Sequence, residues 1–215
     1  SGETSHKALR LKAWLYKRLD QHDAAYLTML EAHRLGPRDQ NIAGKLVNYA
    51  LVISANRCAA AGWHAETALS LAPEDPFIRV NAAIYEITCN GDAQRASELL
   101  EGIETFRQQF WLCMAWMAAR MERDYERLLE LSAVETTGPS VLLPIRDLLE
   151  RQEALYHLGR VREAADTLKE AGQLLAKLER DTDAEEERYY TLIKASYYAQ
   201  SHNLEKTLHW IEEDR

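Results

Sequence analysis

Apolar residues return every three or four positions along most of this chain, as in "AAIYEIT" (82–88) and "YERLLEL" (125–131). That is the period of a helix with one buried face, and no stretch alternates as a half-buried strand would. The five Pro and nine Gly act as punctuation between the periodic segments. The segments run about 10 to 16 residues, the length of short antiparallel helices joined by tight connections. The pattern predicts an all-α chain.

Small residues give the pattern a second, longer period. In "ALYHLGRVREAADTLKEAGQLL" (154–175) an apolar run stops at Gly159, and the next run carries Ala164 and, seven residues later, Ala171. Ala25 and Ala32 before Pro37 repeat the arrangement, as do Ala61 and Ala68 before Pro73. Ala96 with Ile103 follows it, Leu128 takes the small place in "RDYERLLELSAV", and Thr207 takes it in "HNLEKTLHWIEE". Successive members lie 36, 35, 32, 36 and 43 residues apart. A large side chain where two helices cross would hold their backbones apart, so a small one recurring with this period marks stacked helix pairs. Gly91 in "NGD" and Gly159 before Arg160 suit the turn inside a pair. Pro37 and Pro73 end the second helices of their pairs.

These residues resemble the tetratricopeptide repeat family, whose unit of about 34 residues carries small residues at fixed positions and a Pro near its end. Ala13, Tyr16, Ala25, Ala32 and Pro37 match in the first unit. Ala50 in "LVNYALVI" matches in the second. Leu155, Gly159, Ala164, Leu168 and Ala171 match in the fifth, and Ala195 and Tyr198 in the sixth. The fourth departs, with Trp116 at a position where the family has a small residue. The resemblance implies a right-handed superhelical solenoid of antiparallel helix pairs. Its units would fall at about 6–38, 42–74, 76–105, 107–133, 144–176 and 186–215 of a single array. Residues 132–144 read as a longer turn, and the charge run 178–190 as solvated helix ends. No polar capping helix closes the array, so a piece of something longer is expected, and Ser1-Gly2 reads as a cloning remnant.

Chemistry-bearing patterns are missing from the sequence. The seven His form no metal-ligand spacing, no Gly-rich loop follows a strand, and no Ser sits in a nucleophile elbow. No catalytic residue, metal or cofactor is expected. Cys58, Cys89 and Cys113 are odd in number without a Cys-x-x-Cys, so buried thiols are expected in place of a disulfide or zinc framework. They fit a reducing, cytoplasmic setting, or a periplasmic one had a signal been removed. No run is long enough to span a membrane.

Charge is uneven. Residues 1–60 hold nine Lys/Arg and five Asp/Glu, a balance of +4, while the remainder holds 17 and 29, a balance of −12. The acidic body argues against direct nucleic-acid or anionic-membrane binding. The basic end matters because the resemblance implies that first helices line a concave, peptide-binding side. Lys7, Arg10, Trp14, Lys17, Asn48, Asn81, Tyr85 and Arg120 occupy such positions, as do Thr88, Cys113, Arg146, Glu153, Tyr156, Tyr189 and Ser196. Asn can both donate to and accept from an extended backbone, the cations suit a carboxylate or acidic segment, and Trp14 and Tyr85 can anchor. An ordinary solvated surface is the competing reading. The clamp by which one subclass holds chaperone C-termini is broken, since Trp14 stands where its first Asn belongs and unit 3 lacks its Lys. The cluster "FRQQFWLCMAW" (106–116), extended to Met117, is either core or a second apolar interface through Phe110 and Met117, with self-association as one use.

The expected function is thus a non-enzymatic scaffold holding a peptide or protein partner, for instance an acidic or C-terminal segment, in its concave groove. The alternative is a regulatory or assembly segment of a larger protein, such as a bacterial transcriptional regulator or a secretion or polysaccharide-export machine.

Overall fold

The computed structural model describes residues 5–53, 56–103, 108–134, 143–180 and 190–213. Among them are twelve α-helices, one π-helical turn and no strand. The expectations for 135–142 and for 181–189, including Tyr189, lie outside the described residues. Helix starts are set by short acceptors. Ser5 caps α1 (His6–Arg18), Asp39 caps α3 (Gln40–Ala50), and Asp75 caps α5 (Pro76–Tyr85), with Pro76 in the first turn. Each Asp stands two residues after a unit-ending Pro and accepts two amides, at 3.0 and 3.3 Å for Asp39 and 2.9 and 3.2 Å for Asp75. Such a cap satisfies amides that the helix leaves open and is worth about 1 kcal/mol.

The contacts divide the chain into two compact units, 1–118 and 119–215. In the first, α1 packs on α2 (His22–Leu35), α3 on α4 (Arg57–Leu71), and α5 on α6 (Ala93–Leu100). Adjacent pairs also touch: α3 meets α2 and α5, and α4 meets α5. The core follows that stacking, with Leu9, Ala13, Ala25, Met29, Ala32, Ile42, Leu46 and Tyr49 in one cluster and Ala43, Ala68 and Ile78 in the next. Close approach between pairs is bought with glycine: a Cβ on Gly62 of α4 would stand 2.6 Å from the Tyr85 hydroxyl of α5. The π turn Glu86–Asn90 extends α5, and Gly91 ends it at a φ of 65°. The helix α7 (Gln108–Glu122) runs across the division.

In the second unit, α8 (Tyr125–Ser132) packs on α9 (Leu143–His157), α9 on α10 (Val161–Arg180), and α11 (Tyr190–Gln200) on α12 (Leu204–Glu213). α11 also rests on α9 and α10, closing a core of Ile145, Leu149, Ala171, Leu175, Tyr190 and Ile193. Asp124 caps α8, and Gly159 makes the turn between α9 and α10 at a φ of 74°.

The repeating small residues sit where the crossing argument places them: Ala25, Ala32, Ala61, Ala68, Ala96, Ala164 and Ala171 are all buried. Ala164→Leu should therefore lower the unfolding free energy by roughly 1–3 kcal/mol through overpacking. Urea titration of the variant against the parent protein measures it, and an unchanged midpoint would mean that Ala164 does not sit at a crossing.

The cysteine expectation needs correcting. Cys58 and Cys89 form a disulfide across 31 residues, with Cα atoms 5.4 Å apart, and Cys113 is half-buried outside it. Cys58 lies in the first turn of α4 and Cys89 in the π turn that ends α5. Antiparallel packing of α4 on α5 brings those two ends together, a proximity that counting cysteines does not reveal.

Candidate functional site

The repeat register makes a strong geometric statement: residues one repeat apart on first helices should meet. Two pairs do, each separated by 33 residues. In the first unit the half-buried Asn48 donates its amide to the Asn81 carbonyl oxygen. Asn81 is fully buried and donates its own amide to the Phe77 carbonyl of the preceding turn. This pair spends its polar groups on joining α3 to α5, because a buried amide left unpaired costs about 1–3 kcal/mol. The Tyr85 hydroxyl is packed against Gly62. Lys17 is half-buried, with its ammonium 5.1 Å from the Tyr49 ring centroid, and burial lowers its pKa. Of the candidates in this unit, Lys7 and Trp14 stand exposed and Arg10 half-exposed.

The second pair lies in the second unit. Arg120, at the end of α7, makes a forked contact with Glu153 of α9, Nε to Oε1 at 2.7 Å and Nη2 to Oε2 at 2.8 Å, and also donates to Glu150. Arg146, one turn before Glu150, pairs with Asp147 at 3.3 Å. Burial works against the Arg120 charge, but its bonds to Glu153 and the charges of Glu150 and Glu153 outweigh that and hold its pKa above the ordinary value. Burial pushes the Glu150 carboxyl up, opposed by the Arg120 charge and helped by that of Glu153.

These groups wall a cavity of about 320 Å³ completed by Leu149, Ile193, Ser196, Ala199 and Gln200. That is the small end of the range for ligand pockets, enough for one side chain or a short backbone segment. Gln200 donates to the Leu149 carbonyl at 3.3 Å, while its own carbonyl oxygen is buried without a hydrogen-bond partner. Four of the sequence candidates, Arg120, Arg146, Glu153 and Ser196, thus line one space; Tyr156 is exposed and outside it. The sequence reading missed Leu149, Glu150, Ile193, Ala199 and Gln200. The signal was present as helical spacing, since 146, 149, 150 and 153 share one face, as do 193, 196 and 200.

Arg120→Met should destabilise the second unit by about 1–3 kcal/mol at neutral pH, because it strands two sheltered carboxylates. The loss should shrink in acid, because burial already pushes the Glu150 carboxyl up and a neutral Glu150 no longer needs the Arg120 charge. Urea titrations at neutral and acid pH measure both effects, and a pH-independent loss would mean that packing alone is at stake.

The aromatic cluster resolves in part. Trp111 and Trp116 are buried, and the Trp111 indole donates to the Leu100 carbonyl at 2.9 Å, so both serve the core. Met117 is half-buried, and the Phe110 side chain lies outside the described residues. Among the described residues no group of three or more His, Cys, Asp or Glu could hold a metal ion, and no helix is long and apolar enough to cross a membrane.

No protein-family model matches the chain, and no curated protein matches it either. Among solved structures it is similar to PilW, described as a widely conserved type IV pilus biogenesis factor. The TM-score is 0.62 and the identity 11% over 99% of this chain and 93% of that one. At that identity the likeness is one of fold, and it supports a helical repeat architecture along the chain.

Proposed function

We propose that this chain is a non-enzymatic, tetratricopeptide-like scaffold that holds a peptide segment of a partner protein against its first helices. The observation that carries the reading is the cavity of the second unit. Side chains that the repeat register assigns to the concave side, from α7, α9 and α11, wall it together. Its chemistry suits a main chain: the exposed Ser196 hydroxyl can both donate and accept, and Leu149 and Ile193 supply an apolar wall. In the first unit, Lys7, Arg10 and Trp14 are the surface candidates for an acidic segment, while Asn48 and Asn81 join α3 to α5.

The second reading is an assembly segment of a larger machine, and the fold shared with a pilus biogenesis factor fits it. The Cys58–Cys89 bond favours an oxidising compartment, such as the periplasm, over a cytoplasmic setting.

The experiment is a selection from a random peptide library, followed by calorimetry on the peptides obtained. Ser196→Trp and Ala199→Trp, both at exposed positions, fill the cavity and should weaken binding about tenfold or more, or ~1.4 kcal/mol. Peptides indifferent to both but lost on Arg10→Glu, with affinity falling as salt screens the charges, would move the site to the first unit. A failure to select any peptide would favour the assembly reading.

A further inference from the structure

The two leading first helices bury very different faces. α3 packs on α2, α4 and α5 and buries Ile42, Ala43, Gly44, Leu46, Val47, Tyr49 and Ala50. α1 packs on α2 and buries Leu9 and Ala13. Yet α1 is not polar on its other side. Leu11, Trp14 and Leu15 follow the i, i+3, i+4 spacing of one stripe and are 59%, 49% and 50% exposed. At about 100° per residue that stripe points roughly opposite to Leu9 and Ala13. Single exposed leucines are ordinary, but a contiguous stripe of three large apolar side chains marks a contact surface.

Charge says what covers it. α1 holds five Lys/Arg and no Asp or Glu. Lys7 and Arg18 lie in line with Leu11 and Trp14, while Arg10 and Lys12 flank the stripe. Lys17 belongs to the other side, over Tyr49. We propose that the outward face of α1 is a docking surface for an amphipathic helix of a partner protein, apolar on its inner face and rich in Asp and Glu along its flanks. A helix fits because the anchors recur once per turn and because neighbouring helices are what cover the corresponding helix α3. Carboxylate flanks satisfy Lys7, Arg10 and Arg18. An anionic lipid surface would suit the stripe, but the −12 balance of the rest of the chain opposes its approach. This surface shares Lys7, Arg10 and Trp14 with the first-unit candidates for an acidic segment but no residue with the cavity of the second unit, so the cavity reading and this one can fail separately.

The test is fluorescence anisotropy with a labelled, helix-stapled peptide carrying Leu at i, i+3, i+4 and i+7 and Glu on both flanks, beside its isomer with Lys on the flanks. The Glu-flanked peptide should bind, at least about tenfold more tightly than the Lys-flanked one, and more weakly as salt rises. Leu11→Glu and Leu15→Glu, at exposed positions, should each weaken it by about tenfold or more while leaving helix content and melting temperature unchanged. Four outcomes would overturn the proposal: no binding of the Glu-flanked peptide, equal binding of the isomer, binding indifferent to both substitutions, or use of the face by something else. The last would show as a concentration-dependent dimer, or as adhesion to phosphatidylglycerol vesicles, abolished by Leu11→Glu while the Glu-flanked peptide fails to compete.

Discussion

Reducing the Cys58–Cys89 disulfide should lower the unfolding free energy by roughly 3–4 kcal/mol, the chain-entropy value for a closed loop of this length. The bond spans 31 residues, nearly a whole repeat, and joins the start of α4 to the end of α5. Opening it frees that loop in the unfolded chain and removes the one covalent tie described between successive pairs. Both cysteines are half-buried, so a reductant can reach the sulfurs without prior unfolding. Urea titrations with and without reductant, beside the Cys58→Ser/Cys89→Ser double variant, measure the loss. The double variant should match the reduced protein and lose its response to reductant. Equal midpoints for the oxidised and reduced protein would show that the pair contributes nothing to the stack.

Acid should weaken the first unit through His64. Its ring is 2% exposed, and its Nε2 lies 3.0 Å from the Tyr26 hydroxyl, a contact between α4 and α2. Burial, reinforced by the nearby His33, pushes its pKa down from 6.5 to about 4. Above pH 6.5 the ring is neutral in folded and unfolded chains alike, and its contribution is fully present. As pH falls below that value the unfolded chain takes up a proton that the folded one refuses, and stability is lost until the folded value is reached. At a pH of about 4.5 the loss amounts to roughly 2–3 kcal/mol. Titrations at neutral and acid pH, for the parent protein and for His64→Gln, isolate this share. The parent should lose that much more than the variant, and equal losses would assign the acid sensitivity to other groups.

Much of the fold was legible because its physics is local or periodic. Buried alanines seven apart report a helix crossing, and the prolines after them report where the second helix stops. The caps at Asp39 and Asp75 were equally legible in the Pro-x-Asp steps, though the sequence reading passed over them. The repeat period also accounts for contacts that the sequence reading did not name, since Asn48 with Asn81 and Arg120 with Glu153 are 33 residues apart. What the period could not reveal was how each contact is spent. Asn48 and Asn81 face each other and close their own hydrogen bonds, whereas Arg120 and Glu153 border an open space. That difference depends on helix spacing to within an ångström or so, which residue types do not encode. The disulfide was hidden for a related reason: the π turn that carries Cys89 breaks the α-helical register, so its neighbours could not be counted from Cys58.

The proposed role rests on the first-helix face of the second unit, and amide NMR of the isotope-labelled protein titrated with a selected peptide probes it most directly. The account predicts shift changes concentrated at the end of α7 and along 146–153 and 193–200, diminished by Ser196→Trp. Changes confined to α10 and α12, the second helices of their pairs, would contradict it.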